Sequence, residues 1–332
     1  MKLLIVTQKV DATDRNLGFF IGWMRKFSEH AEIVVIANEV GVHDSFPRVE
    51  VLSLGKEHGA SRLARFFRYQ RLLFRILPTV DGVFFHMCPE YVLGAHLLPA
   101  LYGKKSLLWY VHKEVSVRLR FASFFVSKIF TASKESCRLG GDKIEVVGHG
   151  IDTDLFTPET IPRDKPRLVT VGRIAPVKDL TTIILGFVEL LKKFPEAELS
   201  VIGEPITDVD RAYQSTLAGL SPKVRFGSLP YGDVFTSHAH NIFVHASRTG
   251  SLDKAVLETL SAGLPVFTSS EAFGAGLPGI TKFAEGDPID LAQKIAGAFL
   301  RGEIVSSEKA REFVHTNHSL TKLIQRIISF YG

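Results

Sequence analysis

Cysteine is nearly absent from this 332-residue chain: Cys88 and Cys137 stand far apart and form no motif. That excludes a disulfide scaffold and a cysteine-rich zinc module, and makes a reducing compartment the default expectation. Both lie in apolar or helical contexts and read as small core residues. Long hydrophobic runs are missing too. The nearest, GVFFHMCPEYVLGAHLLPALYG at 82–103, is interrupted by Pro89, Glu90, two histidines and Pro99, so no membrane-spanning helix is expected. The opening MKLLIVTQKVDATDRN has a short apolar run that meets Lys9, Asp11 and Asp14 with no small-residue cleavage site, so no secretory signal is expected either. A cytoplasmic protein is the resulting expectation. No GxGxxG follows the first β-rich run and no GxxxxGK[ST] occurs, which leaves a nicotinamide dehydrogenase and a P-loop enzyme without support. His238, His240 and His245 have neither metal spacing nor an accompanying acid, so no metal is expected. Repeats and low-complexity tracts are lacking.

What is present describes a folded α/β protein. Hydrophobic residues make up 45% and charged residues 23% of the chain, the balance of a globular protein. The net charge of +5 favours anionic partners, phosphates or a membrane surface, without choosing between them. β-Rich runs at 2–7, 32–37, 48–54, 82–86, 106–111, 128–133 and 143–148 alternate with helical patterns, including 19–30 and 61–77. A polar, proline-bearing stretch, TPETIPRDKP at 157–166, reads as a linker. The alternation then restarts with RLVTVG, ELSVIG, KVRFG, NIFVHAS and PVFTSS, and ends in helical patterns near 288–301, 307–315 and 319–330. The expectation is two doubly wound parallel-sheet domains with a cleft between them, 1–160 and 161–315, each binding ligands at the carboxyl ends of its strands.

The second half holds the densest chemistry. In VGRIAPVK (171–178) a strand ends at Gly172, and Arg173 and Lys178 flank the entry to the next helix. Two cations at a helix start suit a pyrophosphate; two solvated surface cations are the plain alternative. In TGSLDKAVLETLSAGLP (249–265) a mostly apolar helix carries Lys254 and Glu258 four residues apart. A helical ion pair is the plain alternative there, in the weaker base-before-acid order. The functional reading gives Glu258 the vicinal hydroxyls of a ribose. VIGEP (201–205), with Gly203, and FGSLP (226–230), with Leu229, supply further turns on the same edge, where backbone approaches a base.

These pieces, with VGHGIDTDLFTP (147–158) and in this order, resemble the family-4 retaining glycosyltransferases of the GT-B fold. The resemblance is strong over 147–270 and looser before it. It implies a hexosyl donor, a UDP or GDP sugar, held by the C-terminal domain, with Arg173 and Lys178 at the pyrophosphate, Glu258 at the ribose, and Ser251 and Leu252 beside them. It also implies a glycan or glycolipid acceptor held mainly by the N-terminal domain, a final helix (316–332) crossing back to that domain, a front-face retaining mechanism, and no cofactor or metal. The family's usual pattern is Glu-x7-Glu, and here Gly250 stands at the first glutamate. The expectation is a backbone turn over 250–253 with Asp253 or Lys254 replacing the missing side chain. A GT-B nucleotide-sugar epimerase and a non-catalytic nucleotide-sugar-binding scaffold are the alternatives.

In the first half, NLGFF (16–20) places Gly18 at a helix start, where the resemblance puts a glycine loop against the donor phosphates. His112, after SLLWYV, matches the family's histidine beside the sugar and leaving group. His86 ends the preceding strand and is a candidate for the acceptor side. Residues 61–77, SRLARFFRYQRLLFRIL, set Arg62, Arg65, Arg68, Arg71 and Arg75 around one side of a helix and Leu63, Phe66, Phe67, Leu73, Phe74 and Leu77 on the other. A solvated basic face is one reading; attachment to an anionic membrane surface, peripheral on its inner face, is the sharper one. No recognition motif supports nucleic acid.

Overall fold

The computed structural model describes residues 1–14, 16–157, 161–229, 240–274 and 276–332. Their contacts divide the chain into two units, Met1–Gly150 with His318–Gly332, and Ile151–Asn317. The change comes at 150/151, ahead of the polar stretch read as a linker, because Ile151 and Phe156 are buried in the second unit's core. Within that stretch, 158–160 lie outside the described residues.

The first unit is built on β1 (Lys2–Val10), β2 (Glu32–Val40), β3 (Val49–Ser53), β4 (Gly82–His86), β5 (Lys105–Trp109), β6 (Lys128–Thr131) and β7 (Ile144–Val146), all parallel in the order β3-β2-β1-β4-β5-β6-β7. A parallel sheet is covered on both faces, so its central strands are continuous apolar runs: Leu3–Val6, Ile33–Ala37 and Val83–Phe85 are all buried. The connecting helices are α1 (Phe20–His30), α2 (Arg62–Ile76), α3 (Pro89–Ala95), the single turn α4 (Leu98–Leu101) and α5 (Val117–Phe125). α1 buries Phe20, Trp23, Met24 and Phe27, one face at helical spacing. The C-terminal helix, Leu320–Tyr331, repeats that spacing with Leu320, Leu323, Ile324 and Ile327 and joins the same cluster. Arg326 clamps it to Glu145 at 2.6 Å, and Tyr331 donates to the Val83 carbonyl at 2.7 Å.

α2 departs from its expected two-sided pattern. Its buried face is Tyr69, Leu73 and Ile76, with Leu77 following, while Leu63, Phe66, Phe67 and Phe74 are exposed among the arginines. The apolar residues outnumber what one face of a helix lying on a sheet can cover.

The second unit has β8 (Arg167–Val171), β9 (Glu198–Ile202), β10 (Val224–Gly227), β11 (Ile242–His245), β12 (Val266–Thr268) and β13 (Ile280–Lys282), parallel in the order β10-β9-β8-β11-β12-β13. Its helices among the described residues are α6 (Leu180–Leu191), α7 (Asp208–Ala218), α8 (Lys254–Ser261), α9 (Pro288–Leu300) and α10 (Glu308–Asn317). The sequence pattern did not anticipate β13 or α5. β13 has three residues, too short for an alternation to register.

In each unit the chain winds outward from the first strand and then returns to that strand's other side. The reversal falls between β1 and β4 in the first unit and between β8 and β11 in the second. Open α/β sheets bind ligands at the carboxyl edge of such points.

Candidate functional site

In the second unit, β8 ends and Gly172 turns the chain toward Arg173. β9 ends beside it at Ile202, and the next residue, Gly203, has φ +150°, with an added Cβ 1.9 Å from the Gly172 carbonyl oxygen. Only glycine fits there, and the two strand ends approach closely for that reason.

Arg173 is held by a buried acid. Asp210 takes its Nε at 2.8 Å and its Nη2 at 2.6 Å. Asp210 itself closes a capping box on Thr207 at the start of α7 and accepts the amides of Ile206 and Thr207. The Thr207 amide foremost, with the Arg173 hydrogen bond, lowers the Asp210 pKa to about 2 in spite of burial. Arg173 stays 42% exposed, so donors of its guanidinium remain for an anion.

Lys178 is anchored in the same way. Its Nζ lies 2.6 Å from Asp253 Oδ2, and the same oxygen meets His245 Nε2 at 2.8 Å. His245 Nδ1 contacts Thr268 Oγ1 at 3.0 Å, which fixes the ring. Burial pushes the Asp253 carboxyl up, but the His245 hydrogen bond and the Lys178 charge outweigh it and hold the group far below the usual carboxylate range. Asp253 stands at the N-cap of α8 yet makes no cap hydrogen bond, its carboxylate being turned to Lys178 and His245. Arg173, Lys178 and His245 line one small cavity with Thr170 and Gly172 at the reversal between β8 and β11.

One turn along α8, Lys254 Nζ is 3.4 Å from Glu258 Oε1, and Glu258 is buried. The ion pair offered as the plain alternative therefore forms. Burial pulls the Lys254 ammonium pKa down, against the charges of Glu258 and Asp152. Gly250 is buried with φ +61° and opens the turn into α8. Ser251 donates to Thr249 Oγ1 at 3.0 Å, Leu252 packs on the core, and Leu229 is exposed beyond β10. With Asp253 bound to Lys178 and His245, and Lys254 to Glu258, the structure gives each a protein partner.

Among the first unit's expected residues, Gly18 precedes α1 in a tight loop. Its amide donates to the Asp14 carbonyl at 2.7 Å, and an added Cβ would lie 2.4 Å from that oxygen. His112 is exposed past β5, its Nδ1 accepting the Glu114 amide at 3.2 Å. His86, expected on the acceptor side, is a core histidine instead. It is 1% exposed, packs against the rings of Phe20 and Trp23, and meets Thr7 Oγ1 at 3.1 Å. The sheet covers it because it is the last residue of β4, inside the aromatic layer under α1.

Sequence reasoning missed His245 and Asp210. His245 was set aside with a histidine cluster whose first member, His238, lies outside the described residues, as does Pro230 of FGSLP. Its place at the end of a central strand was the available signal. For Asp210 the signal was Thr207-x-x-Asp210, a capping pattern. Among the described residues no three His, Cys, Asp or Glu side chains are grouped to hold a metal, and no helix is long and apolar enough to cross a membrane.

Residues 152–296 match the family model described as Glycosyl transferases group 1. A sulfoquinovosyl transferase of Arabidopsis thaliana, SQD2, is 30% identical over 158 residues, 42% of this chain; the match spans 28% of that protein's length. Among solved structures, HepE of Anabaena in complex with UDP superposes with a TM-score of 0.73 at 14% identity over 99% of both chains. Sucrose-phosphate synthase from Thermosynechococcus elongatus does so at 0.73 and 14%, over 99% of this chain and 98% of its own. WaaG, a glycosyltransferase of lipopolysaccharide biosynthesis, reaches 0.68 at 16% over 99% of both chains. The fold is the GT-B fold: two parallel-sheet, Rossmann-like α/β domains.

Proposed function

We propose that the protein is a retaining glycosyltransferase that moves a hexosyl unit from a nucleotide-diphosphate sugar to a glycan or lipid-linked acceptor. The observation that carries this reading is the pair of cations, Arg173 and Lys178, each tethered by an acid and both lining one cavity at the strand reversal of a group 1 domain. HepE is described in complex with UDP, which favours a UDP sugar over a GDP sugar.

In this reading the donor diphosphate sits on Arg173 and Lys178, which stabilise the charge that grows as the anomeric C–O bond breaks and its electron pair leaves on the phosphate. The acceptor hydroxyl oxygen forms the new bond on the same face, and its proton passes to a donor phosphate oxygen. Glu258 fixes the ribose and thereby the anomeric carbon. His112 positions the sugar and the leaving group. Asp253 acts through Lys178, not on the sugar. The charge-neutralising role falls to the two side chains, with no metal required.

Exposed Phe67 and Phe74 beside Arg71 and Arg75 on α2 support peripheral attachment to an anionic membrane. Anionic vesicles then sediment the protein and high salt releases it; binding indifferent to lipid charge sinks this part.

The donor site is tested by thermal unfolding with UDP, GDP and ADP, wild type beside Arg173→Ala and Glu258→Ala. Ligand at a hundred times its Kd adds about 2.7 kcal/mol of stability. A shift with one nucleotide, lost in both variants, is the expected result. No shift with any nucleotide would remove the donor site, and with it both the transferase and a nucleotide-sugar-binding scaffold.

A further inference from the structure

The first unit has its own crevice at its own strand reversal. A cavity of about 530 Å³ opens at the carboxyl edge beside β1 and β4, bounded by Gln8, Asn38 and Cys88 from the strand ends and by the first turns of α2. A volume of this order holds one or two sugar rings.

Its chemistry is cationic and aromatic. Lys56, Arg62 and Arg65 line it, with Phe66 and Tyr91. Lys56 is paired with Glu39 at 2.7 Å, and Glu90, the one lining acid among the described residues, accepts from Arg118 at 2.9 Å. Arg62 makes no ion pair or hydrogen bond among the described residues and is exposed. Arg65 donates from Nη1 to the Asn38 side chain, but its Nε is buried without a hydrogen-bond partner among the described residues. A buried N–H on a guanidinium seldom goes unpaired. The helix arrangement points the same way. The first turn of α2 contains no acid, and Arg62 and Arg65 stand at the helix end whose dipole repels cations. An anion in the cavity answers all three features: it pairs Arg62, satisfies Arg65 Nε, and offsets the repulsion at the helix start.

We propose that this cavity binds an acidic sugar, one bearing a phosphate or a carboxylate, with Arg62 and Arg65 on the anionic group and Phe66 and Tyr91 beside the ring. That this sugar belongs to the glycosyl acceptor rests on the function proposed above; the anion preference of the cavity does not. Arg62 and Arg65 then determine acceptor specificity.

The test is titration calorimetry of the full chain with glucose 6-phosphate, glucuronate and glucose, wild type beside Arg62→Ala and Arg62→Ala/Arg65→Gln, with UDP titrated separately. At least one acidic sugar binds roughly tenfold or more tighter than glucose, and the double variant loses that margin. Arg62→Ala, an exposed change without protein partners, shows a partial loss with an intact fold. Preference for glucose 6-phosphate assigns the phosphoryl group, and preference for glucuronate the carboxylate. Glucose binding as tightly as both acids, failure of both acids at millimolar concentration, or a double variant that binds them like wild type overturns the proposal. Loss of UDP binding in wild type with the acidic sugar still bound would overturn the donor site and leave this cavity standing.

Discussion

The two units place a crevice at the same topological point and equip it differently. In the second unit the cations are already neutralised: Arg173 by Asp210, Lys178 by Asp253, Lys254 by Glu258. In the first, Arg62 is unpaired among the described residues and Arg65 half satisfied, around a much larger space. A cation tethered by an acid is fixed before its ligand arrives, which suits a role that depends on geometry during bond breaking. A cation waiting for its counter-charge gives selection between ligands instead. On the functions proposed above, the same fold would supply preorganisation in one unit and discrimination in the other.

The sharpest way to break the second unit's arrangement is Gly203→Ala. The new methyl would collide with the Gly172 carbonyl, and φ +150° strains any side chain. We expect a loss of about 3 kcal/mol or more. Nucleotide binding falls with it, because Arg173 follows Gly172 directly. A variant as stable as wild type that also binds UDP as tightly would show that the close approach of β8 and β9 does not set the site.

Acid separates the two units. His318, in the first, is buried and accepts the His149 amide at 3.3 Å; burial lowers its pKa from the ordinary 6.5 to about 4. Its neutral form is the folded one, so its contribution, about 3 kcal/mol, is fully present above pH 6.5 and is lost as pH falls toward 4. Asp253, in the second unit, is held ionised in the fold, so its contribution is present above the ordinary aspartate range and is lost only below about pH 4. The first unit should therefore weaken first on acidification. Trp23 and Trp109, the two tryptophans of the chain, both lie in it, so tryptophan fluorescence reports that unit alone. Between pH 6.5 and 4, His318→Asn should flatten the fluorescence-monitored stability profile and Asp253→Asn should leave it unchanged. The reverse pattern would undo the assignment.

Asp253→Asn tests the tether itself. It removes the charge that holds Lys178 while keeping the shape, at an expected cost of about 2 kcal/mol in stability. If Asp253 acts through Lys178, Asp253→Asn and Lys178→Ala each lower kcat/KM about 10- to 1000-fold, and the double variant falls little further. Losses that multiply would return Asp253 to direct contact with the sugar.

How much of this was legible in the sequence follows the range of the forces involved. The strands were legible because burial on both faces writes itself as unbroken apolar runs, as in GVFFH and EIVVIA. Arg173, Lys178 and Glu258 were visible as residue types at strand and helix ends. Their partners were not. Asp210 lies 37 positions from Arg173, and Asp253 lies 75 from Lys178, so only the folded sheet brings them together. His86 misled because a strand-end histidine looks alike in sequence whether it ends in solvent or under an aromatic layer. The arginines of α2 were seen as one basic face, whereas the fold assigns Arg62 and Arg65 to a cavity and leaves Arg71 and Arg75 outside it.

The smallest expected effect concerns the position where the resemblance fails. Gly250 is buried in the left-handed region at φ +61°, and the turn it opens delivers Asp253 to Lys178 and His245. Gly250→Glu places a glutamate where the resembled family carries one. A non-glycine residue in that conformation costs about 1–2 kcal/mol, and the chain regains ordinary φ only by moving the turn that leads to Asp253. The variant should thus be slightly less stable and no more active than wild type, with any loss appearing in kcat. Higher turnover from Gly250→Glu would mean that the missing glutamate, not the Asp253 tether, limits this site.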